Sequence, residues 1–190
     1  MKTLLCIAGL LLAAPALAQS PIDETRPLAA DGRVSIENLK GRVTVRTWDQ
    51  AQVRITGTLG EKVEELEIDG NGRVLSIIVR NPENDGWFSR RDDSGPTTLE
   101  VTLPARASLV VEAVSADIDV TGTGGRLLHL ESVSGDVRVR AARADEVRLE
   151  SVSGGVDAEL DSSDIDASSV SGDVRAVGRI GGPRTVRRRR

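Results

Sequence analysis

The second half of the chain repeats a single pattern of apolar and polar positions. The four segments that carry it are VEAVSADIDV from Val111, LESVSGDVRV from Leu130, LESVSGGVDA from Leu149 and ASSVSGDVRA from Ala167. Their reference valines, spaced 19, 19 and 18 residues apart, are Val114, Val133, Val152 and Val170. Because a short fixed period is typical of repeat proteins, the pattern predicts a stack of coils of about 18 to 19 residues.

Within each repeat, apolar and polar residues alternate on both sides of a one-residue phase change. Such alternation predicts two short strands that meet at a corner, with the reference valines counted among the apolar set. Small residues (Ala116, Gly135, Gly154 and Gly172) hold the inward position of the corner, where a large side chain would not fit. The apolar columns are Leu109, Leu128, Val147 and Ile165; Val111, Leu130, Leu149 and Ala167; Ile118, Val137, Val156 and Val174; and Val120, Val139, Ala158 and Ala176.

Two polar columns favour stacked parallel coils over an array of antiparallel hairpins. One column alternates in charge from repeat to repeat, and the other would form a ladder of hydroxyl groups at the corner. Equivalent residues of stacked coils lie about 4.8 Å apart, so both ladders would set the register. The prediction is therefore an all-β, single-stranded parallel β-helix or solenoid. The charged column is Asp119, Arg138, Asp157 and Arg175, and the hydroxyl column is Ser115, Ser134, Ser153 and Ser171.

The first half of the chain fits the same pattern more loosely. Ile36, Leu39, Gly41, Val43 and Val45 match the columns of the repeat, which predicts an early coil. Further strands are predicted over 53–59, 63–68, 73–79 and 99–103, with a tight turn at Asn71-Gly72 and a strand end at Pro104.

The N-terminus predicts export. Lys2 precedes an apolar run from Leu4 to Leu12, and Ala16-Leu17-Ala18 forms an A-x-A cleavage site before Gln19. The alternative is a retained anchor helix, but the run is short for a membrane span. We therefore expect a periplasmic or cell-surface protein that has no transmembrane span after cleavage. The predicted organisation is a signal peptide (1–18), an N-terminal segment (19–32), a solenoid domain (33–180) containing a loop (81–96), and a basic disordered tail (181–190).

The composition narrows the class of partner. The net charge is −4 at pH 7, although Arg184 and Arg187 to Arg190 crowd positive charge into the tail. A body this acidic argues against nucleic-acid binding, which usually needs a basic face. The only cysteine, Cys6, lies in the predicted signal peptide, so disulfides would not stabilise the mature chain.

Three of these stretches together resemble a known family. VTVRTWDQAQVRITGTL, LEVTLPARASLVVEAVSADIDV and the successive SVSGDV segments are similar to the bacterial putative-adhesin family of β-strand-repeat proteins, a domain of unknown function. The resemblance covers roughly residues 25 to 180. It implies a single-stranded, right-handed β-helix and an envelope role, but it supplies no ligand and no functional residues.

The loop over 81–96 is the predicted contact site. It is polar, yet it carries Trp87 and Phe88 followed by Arg90 and Arg91. Two large rings on a charged loop suggest a contact with an envelope protein, a glycan or lipid headgroups. The alternative is that both rings fold back over one end of the solenoid. Trp48, in contrast, is interpreted as a structural residue beside the first coil.

Two charged features could each bind a ligand or could simply be solvated charged surface, which we call the plain interpretation. Glu112, Glu131 and Glu150 form an outward column that could share a weak Ca²⁺ ion, or could be a solvated acidic stripe partly compensated by arginines. The tail, with Arg187 to Arg190, could bind an anionic surface or could be a solubilising tail. In both cases we favour the plain interpretation and predict no metal and no cofactor.

We do not interpret the chain as an enzyme. His129 is the only histidine, and we expect it to point to solvent from between two inward leucines. The chain shows no catalytic triad signature, zinc spacing, phosphate loop or dinucleotide fingerprint. The predicted function is an exported, non-catalytic interaction or structural module of the envelope, with an unknown oligomeric state. The alternative is a polysaccharide-binding or polysaccharide-degrading β-helix protein.

Overall fold

The computed structural model describes residues 20–82, 94–179, 181 and 184–188. These residues form only strands, turns and connecting segments, without a helix, so the all-β prediction is confirmed. The strands are β1 (Pro21–Pro27), β2 (Arg33–Trp48), β3 (Gln52–Thr58), β4 (Glu65–Gly70), β5 (Val74–Arg80), β6 (Thr97–Pro104), β7 (Ser108–Thr121), β8 (Leu127–Ser132), β9 (Val137–Ser151), β10 (Val156–Ser169), β11 (Val174–Val177) and β12 (Arg184–Arg188).

Long strands bend and so contribute to two faces of one sheet. On the first face, strand segments around Val111, Leu130 and Leu149 lie side by side, and on the second face segments around Ile118, Val137 and Val156 do the same. We use "coil" for one first-face strand, its corner and the second-face strand that follows. The first face runs β4, β5, β2, β7, β8, β9, β10 and β12, and the second runs β1, β3, β6, β2, β7, β9, β10 and β11.

The repeats stack in parallel and in register, as their columns predict. Leu130 pairs with Leu149 on the first face, and Val137 pairs with both Ile118 and Val156 on the second. The inward residues of both faces meet in one aliphatic core, where Leu109, Leu128 and Leu149 are fully buried. Burial of each such side chain contributes about 1.5 to 3 kcal/mol relative to an exposed one.

The corner brings successive coils very close together. A Cβ atom on Gly154 would collide with the carbonyl oxygen of Gly135 in the preceding coil, and one on Gly172 would collide with that of Gly154. The predicted small inward column is therefore confirmed. Its cause is the close approach of one backbone to the next, because none of these glycines adopts a positive φ angle.

The reference valines lie outside the core, and here the prediction that they join the inward apolar set is wrong. Val114, Val133, Val152 and Val170 are 40 to 44% exposed. Two consecutive residues face outward at each corner, so the side-chain direction changes between Val133 and Ser134 while the backbone pairing continues. The Val133 and Ser134 amides still donate to carbonyl groups of the preceding coil, at 3.2 and 2.7 Å.

The hydroxyl ladder exists, but it is formed by a different column of serines. The predicted serines are exposed. The buried serines Ser132, Ser151 and Ser169 instead connect one coil to the next. The Ser151 hydroxyl donates to the Gly135 carbonyl of the preceding coil at 3.2 Å and accepts from the Gly154 amide of its own coil at 3.0 Å. Ser132 and Ser169 make the equivalent pairs of bonds at 2.8 to 3.0 Å.

The first half of the chain supplies two more coils and closes one end of the stack. β2 pairs in register with β7, with Ile36 beside Val111 and Val43 beside Ile118, which confirms the early coil. β5 and β6 lie parallel to β2 on its other side. β4 and β3 then pair antiparallel with β5 and β6, and β1 pairs antiparallel with β3. The predicted Asn71-Gly72 turn joins β4 to β5, with the Asn71 side chain accepting from the Val74 amide at 3.1 Å.

The two ends of the chain differ from the predicted organisation. β1 makes the N-terminal segment part of the same sheet rather than a separate lead-in. The tail, predicted as disordered, adds β12, which runs parallel to β10 with Arg184 beside Ile165 and Val186 beside Ala167. An open parallel edge offers backbone donors and acceptors to any following segment, which is why an arginine-rich sequence can extend it. The predicted signal peptide lies outside the described residues.

We predict that Gly154→Ala destabilises the protein by about 2 to 4 kcal/mol, because the added Cβ forces the corner away from the Gly135 carbonyl. Gly155→Ala is the matched control, since its Cβ would meet nothing closer than 3.6 Å. That substitution is expected to be neutral or to stabilise by up to about 1 kcal/mol. Urea unfolding of both variants measures the difference, and equal losses would contradict the close-approach account.

We predict that Ser151→Ala costs about 1 to 3 kcal/mol, because it leaves the Gly154 amide without its buried acceptor. Ser153→Ala, two residues away on the exposed column, should change the free energy of unfolding by no more than about 0.5 kcal/mol. Thermal and urea unfolding check both values. A larger loss for Ser153→Ala than for Ser151→Ala would show that the ladder is misassigned.

Candidate functional site

The exposed valines form a continuous apolar line along one edge of the stack. We call Val114, Val133, Val152 and Val170 the valine stripe. Equivalent residues in neighbouring parallel strands lie about 4.8 Å apart, so the stripe runs along the stacking axis at one methyl-bearing side chain per coil. Leu39 holds the matching corner position in β2 and is half-buried. Contiguous apolar surface of this kind commonly marks a contact site.

A row of carboxylates runs beside the valine stripe. We call Glu37, Glu112, Glu131 and Glu150 the glutamate row. They are exposed, they stand directly beside one another in register, and each lies two residues before the corner residue of its own coil. In the described part of the chain no cation lies within 4.0 Å of these four carboxylates. Within the described part of the chain, the row is therefore a ladder of like charges without a directly paired counter-ion.

Among the described residues, arginines compensate this row only by charge at a distance and not by direct ion pairs. Arg148 pairs with Glu146 at 2.7 Å, and Arg138 pairs with Asp136 at 2.6 Å. The Ca²⁺ hypothesis also gains no support, because among the described residues no three Asp, Glu, His or Cys side chains converge as metal ligands.

Where the glutamate row and the valine stripe begin, a groove of about 600 Å³ opens. Its walls carry Glu37, Glu64, Glu112 and Glu131, while Ile78, Leu39, Val114 and Val133 give it apolar surface. A second concavity of about 240 Å³ shares Glu131 and continues along Glu150, Val152 and Val170. The acidic and aliphatic surface thus extends over most of the stack.

Arg80 is the basic residue that lines the groove, and it is already engaged. Its Nε donates to Glu67 at 2.7 Å. This hydrogen bond and the charge of Glu67 raise the pKa of Arg80 above its ordinary value, and Glu37 and Glu65 add to the effect. Arg80 therefore stays cationic and offsets part of the negative charge at this end.

Asn38 is a buried polar residue beneath the groove. It is only 3% exposed and lines the groove, and it occupies the same column as Ser132 and Ser151. Its amide donates to the Thr97 carbonyl at 3.4 Å, as the serine hydroxyls do to the coil before them. Its Oδ1 atom has no hydrogen-bond partner among the described residues.

The second face carries charge of a different kind. Its column Asp119, Arg138, Asp157 and Arg175 is in register, as predicted. The direct ion pair of Arg138, however, is with Asp136 of its own coil. The Asp136 carboxylate also accepts from the Gly155 amide of the next coil at 2.9 Å. The Asp136 carboxylate therefore helps to hold neighbouring coils together.

The other residues singled out in the sequence lie apart from this surface or outside the described part of the chain. Trp87, Phe88, Arg90 and Arg91 all fall within the undescribed segment 83–93, so the contact role of the loop stays a prediction. Trp48 is half-buried and donates to the Gln52 carbonyl at 2.8 Å, consistent with a structural residue. His129 faces outward on β8 but is half-buried, and its Nε2 atom is buried without a partner among the described residues.

Sequence reasoning missed the valine stripe, although the chain carries the signal for it. Strict alternation from the inward residues Leu128 and Leu130 places Ser132 inside and Val133 outside. Because each of the four repeats has a valine at this position, the valine was wrongly interpreted as an inward residue. The buried role of Asn38 was missed because its column holds different residue types, alanine or serine, in the later coils.

One family model matches the repeat region of the chain. Residues 93–179 match the family described as Toastrack DUF4097. No protein in a search of the curated proteins matches this chain. The resemblance of the repeat segments to a domain of unknown function is confirmed by this match. The structure also contains no described helix with the length and apolar character needed to cross a bilayer.

Three solved structures are similar to the chain over most of its length. A "putative cell adhesion protein" from Clostridium sporogenes ATCC 15579 shares 9% identity, with 85% of this chain and 98% of that chain covered and a TM-score of 0.49. A "putative adhesin" from Bacteroides fragilis NCTC 9343 shares 14% identity, with 85% and 86% covered and a TM-score of 0.45. Another from Parabacteroides distasonis ATCC 8503 shares 14% identity, with 88% and 96% covered and a TM-score of 0.32.

We predict that Val133→Ala, on the valine stripe, lowers the free energy of unfolding by less than about 1 kcal/mol. The same substitution at Val137, four residues along and fully buried, should cost about 2 to 3 kcal/mol because it leaves a cavity between coils. Urea unfolding of the two variants measures the contrast. A cost at Val133 equal to that at Val137 would mean that the stripe is part of the packed core.

Proposed function

We propose that this chain, which carries a Toastrack DUF4097 domain over residues 93–179, is an exported, non-catalytic β-solenoid that acts as an adhesin-like interaction module of the cell envelope. In this proposal the coils follow one another as a single-stranded, right-handed β-helix. The in-register parallel pairing of β7, β8, β9 and β10 supports that arrangement, and parallel crossover connections are right-handed in about 98% of cases.

The valine stripe beside the glutamate row is the observation that carries the proposed function. Solvent would favour polar residues at the corner, yet every regular coil exposes a valine there. The interior is sealed by aliphatic side chains and the second face binds its own coils together, so this edge is the surface best suited to a partner. Its shape is a long shallow groove rather than a closed pocket.

Export is the second part of the proposal and rests on the N-terminal sequence. Lys2, the apolar run from Leu4 to Leu12 and the A-x-A site before Gln19 support secretion to the periplasm or the cell surface. A polypeptide partner in the envelope fits this surface better than a polysaccharide, because sugar rings are usually held against aromatic faces and the groove is aliphatic and acidic. A polysaccharide-binding or polysaccharide-degrading protein is the alternative outcome of the test.

The test is retention of the mature chain, beginning at Gln19, by washed envelopes of the source bacterium. We predict that Val133→Ser combined with Val152→Ser lowers retention about tenfold, since two exposed valines removed from an interface are worth roughly 1.4 kcal/mol or more. Val74→Ser combined with Val177→Ser is the matched control, because those valines are 47 and 50% exposed but lie off the stripe. The control should bind within about twofold of the unmodified chain.

Equal retention of all three proteins would contradict the proposed role of this edge. Mass spectrometry of the protein recovered from the envelope or medium tests export, and the expected N-terminal residue is Gln19. Recovery of the chain from the cytoplasm with Met1 to Ala18 intact would contradict it. Digestion of the envelopes with a protease before binding separates the two partner classes, because retention should fall for a polypeptide partner and persist for a glycan.

A further inference from the structure

We propose that the groove binds a cationic amphipathic helix, whose basic residues lie along the glutamate row and whose apolar residues lie on the valine stripe. This inference rests on the proposed function and names the chemistry of the partner at the same edge. Two properties of the groove support it: the sign of its charge and the spacing of its repeated side chains.

The charge of the groove calls for a basic partner. Glu37, Glu112 and Glu131 stand in adjacent strands without a cation within 4.0 Å among the described residues, and Glu64 lies across from them. Like charges about 4.8 Å apart destabilise the row, so a ligand carrying lysine or arginine relieves repulsion as well as adding attraction. Electrostatic complementarity of this kind also speeds association.

The spacing of the row favours a helix over an extended strand. Three steps between neighbouring coils span about 14 Å along the stacking axis. Side chains on one face of a helix recur once per turn of 5.4 Å, so three steps span about 16 Å. Alternate side chains of an extended strand recur about every 6.8 Å, and three steps would span about 20 Å. The helix therefore leaves the smaller mismatch for long basic side chains to absorb.

The arrangement of polar and apolar positions fits the two edges of an amphipathic helix. In each of three regular coils the glutamate and the exposed valine are separated by one inward residue, giving parallel charged and apolar lines (Glu112 with Val114, Glu131 with Val133, Glu150 with Val152). A helix with apolar residues at i, i+3, i+4 and i+7 and basic residues along one border presents the complementary pair of lines.

A second copy of the chain does not meet these requirements. If two valine stripes faced each other, each glutamate row would meet another glutamate row or the serine column, depending on the direction of the second copy. Neither arrangement neutralises the carboxylates, because the corner positions on the other side of the stripe are Ser115, Ser134, Ser153 and Ser171. The occupant is therefore a different polypeptide.

Arg80 is expected to weaken the binding of a basic ligand. It lines the groove as a cation and opposes a basic ligand, although Glu67 holds it at 2.7 Å. Replacing it with glutamine should leave Glu37 and Glu67 free to attract the ligand. Arg80→Gln is thus expected to tighten binding, whereas loss of charged groups elsewhere would leave it unchanged.

The experiment uses the mature chain and three fluorescein-labelled peptides of 18 residues. The first is a leucine–lysine peptide patterned as an amphipathic helix, the second has the same composition in strict alternation and so is amphipathic only as a strand, and the third is oligolysine. Fluorescence anisotropy at low and physiological salt gives the Kd of each. We expect the helical peptide to bind at least about tenfold more tightly than either comparator, since it alone matches both lines.

Variants locate the binding. Glu112→Gln with Glu131→Gln should weaken the helical peptide roughly tenfold or more, and Val114→Ser with Val133→Ser should weaken it by a similar factor. Glu100→Gln with Glu159→Gln is the matched control, because it removes the same charge from exposed residues on the second face and should change Kd less than about twofold. Arg80→Gln should lower the Kd about two- to threefold.

Equal binding of the helical and alternating peptides would overturn the helix assignment, and equal effects of the two glutamate pairs would overturn the site. Failure of all peptides to bind, with stripe-dependent envelope retention intact, would remove this inference and leave the proposed function standing. If the valine substitutions did not change envelope retention while the peptide still bound at the groove, the proposed function would be contradicted and the peptide-binding inference would stand. Circular dichroism of the bound peptide checks that it is helical.

Discussion

The fold depends on how closely one coil can approach the next at its corner. The chain turns there with its backbone against the carbonyl group of the coil before it, at a distance that excludes even a Cβ atom on Gly154 or Gly172. The buried Ser151, three residues before Gly154, joins the same two coils. Its hydroxyl donates to the Gly135 carbonyl of one coil and accepts from the Gly154 amide of the other. Backbone hydrogen bonds between the strands set the vertical spacing of the coils, and only a corner without bulky side chains fits within that spacing.

The charged side chains have different roles on the two faces of the stack. On the second face, the Asp136 carboxylate accepts from the Gly155 amide of the next coil and pairs with Arg138 of its own coil. Its negative charge is therefore balanced within the fold. On the first face no cation among the described residues pairs directly with the glutamate row, and the valine stripe beside it lies outside the core. In three regular coils the same outward positions hold a glutamate and a valine, and the stacking joins them into one extended surface.

The sequence was sufficient to predict the stacking but not the direction of every side chain. Periodicity identified the columns from Leu109 to Ala176, the small corner residues and the early coil of β2, because a buried parallel stack imposes the same residue type at each level. It failed at Val133 and at the predicted serines, because a phase change of one residue permits two assignments and the apolar identity of valine favoured the wrong one.

Other features depend on contacts that a periodic pattern does not contain. Asn38 differs in residue type from the serines whose position it shares, and the pairing of Arg80 with Glu67 connects β5 to β4 outside the regular repeats. The pairing of β12 with β10 arises from an unfilled backbone edge rather than from any preference of its arginines. These residues are recognisable only once the neighbouring strands are known.

The most direct test of the account is the register between β8 and β9 in solution, measured on the mature chain by NMR contacts between backbone protons. Parallel stacking predicts that contacts advance together along both strands, from Leu128 with Val147 through Leu130 with Leu149 to Ser132 with Ser151. Contacts that advance in opposite directions, or that are shifted by one residue so that Val133 enters the interior, would contradict it.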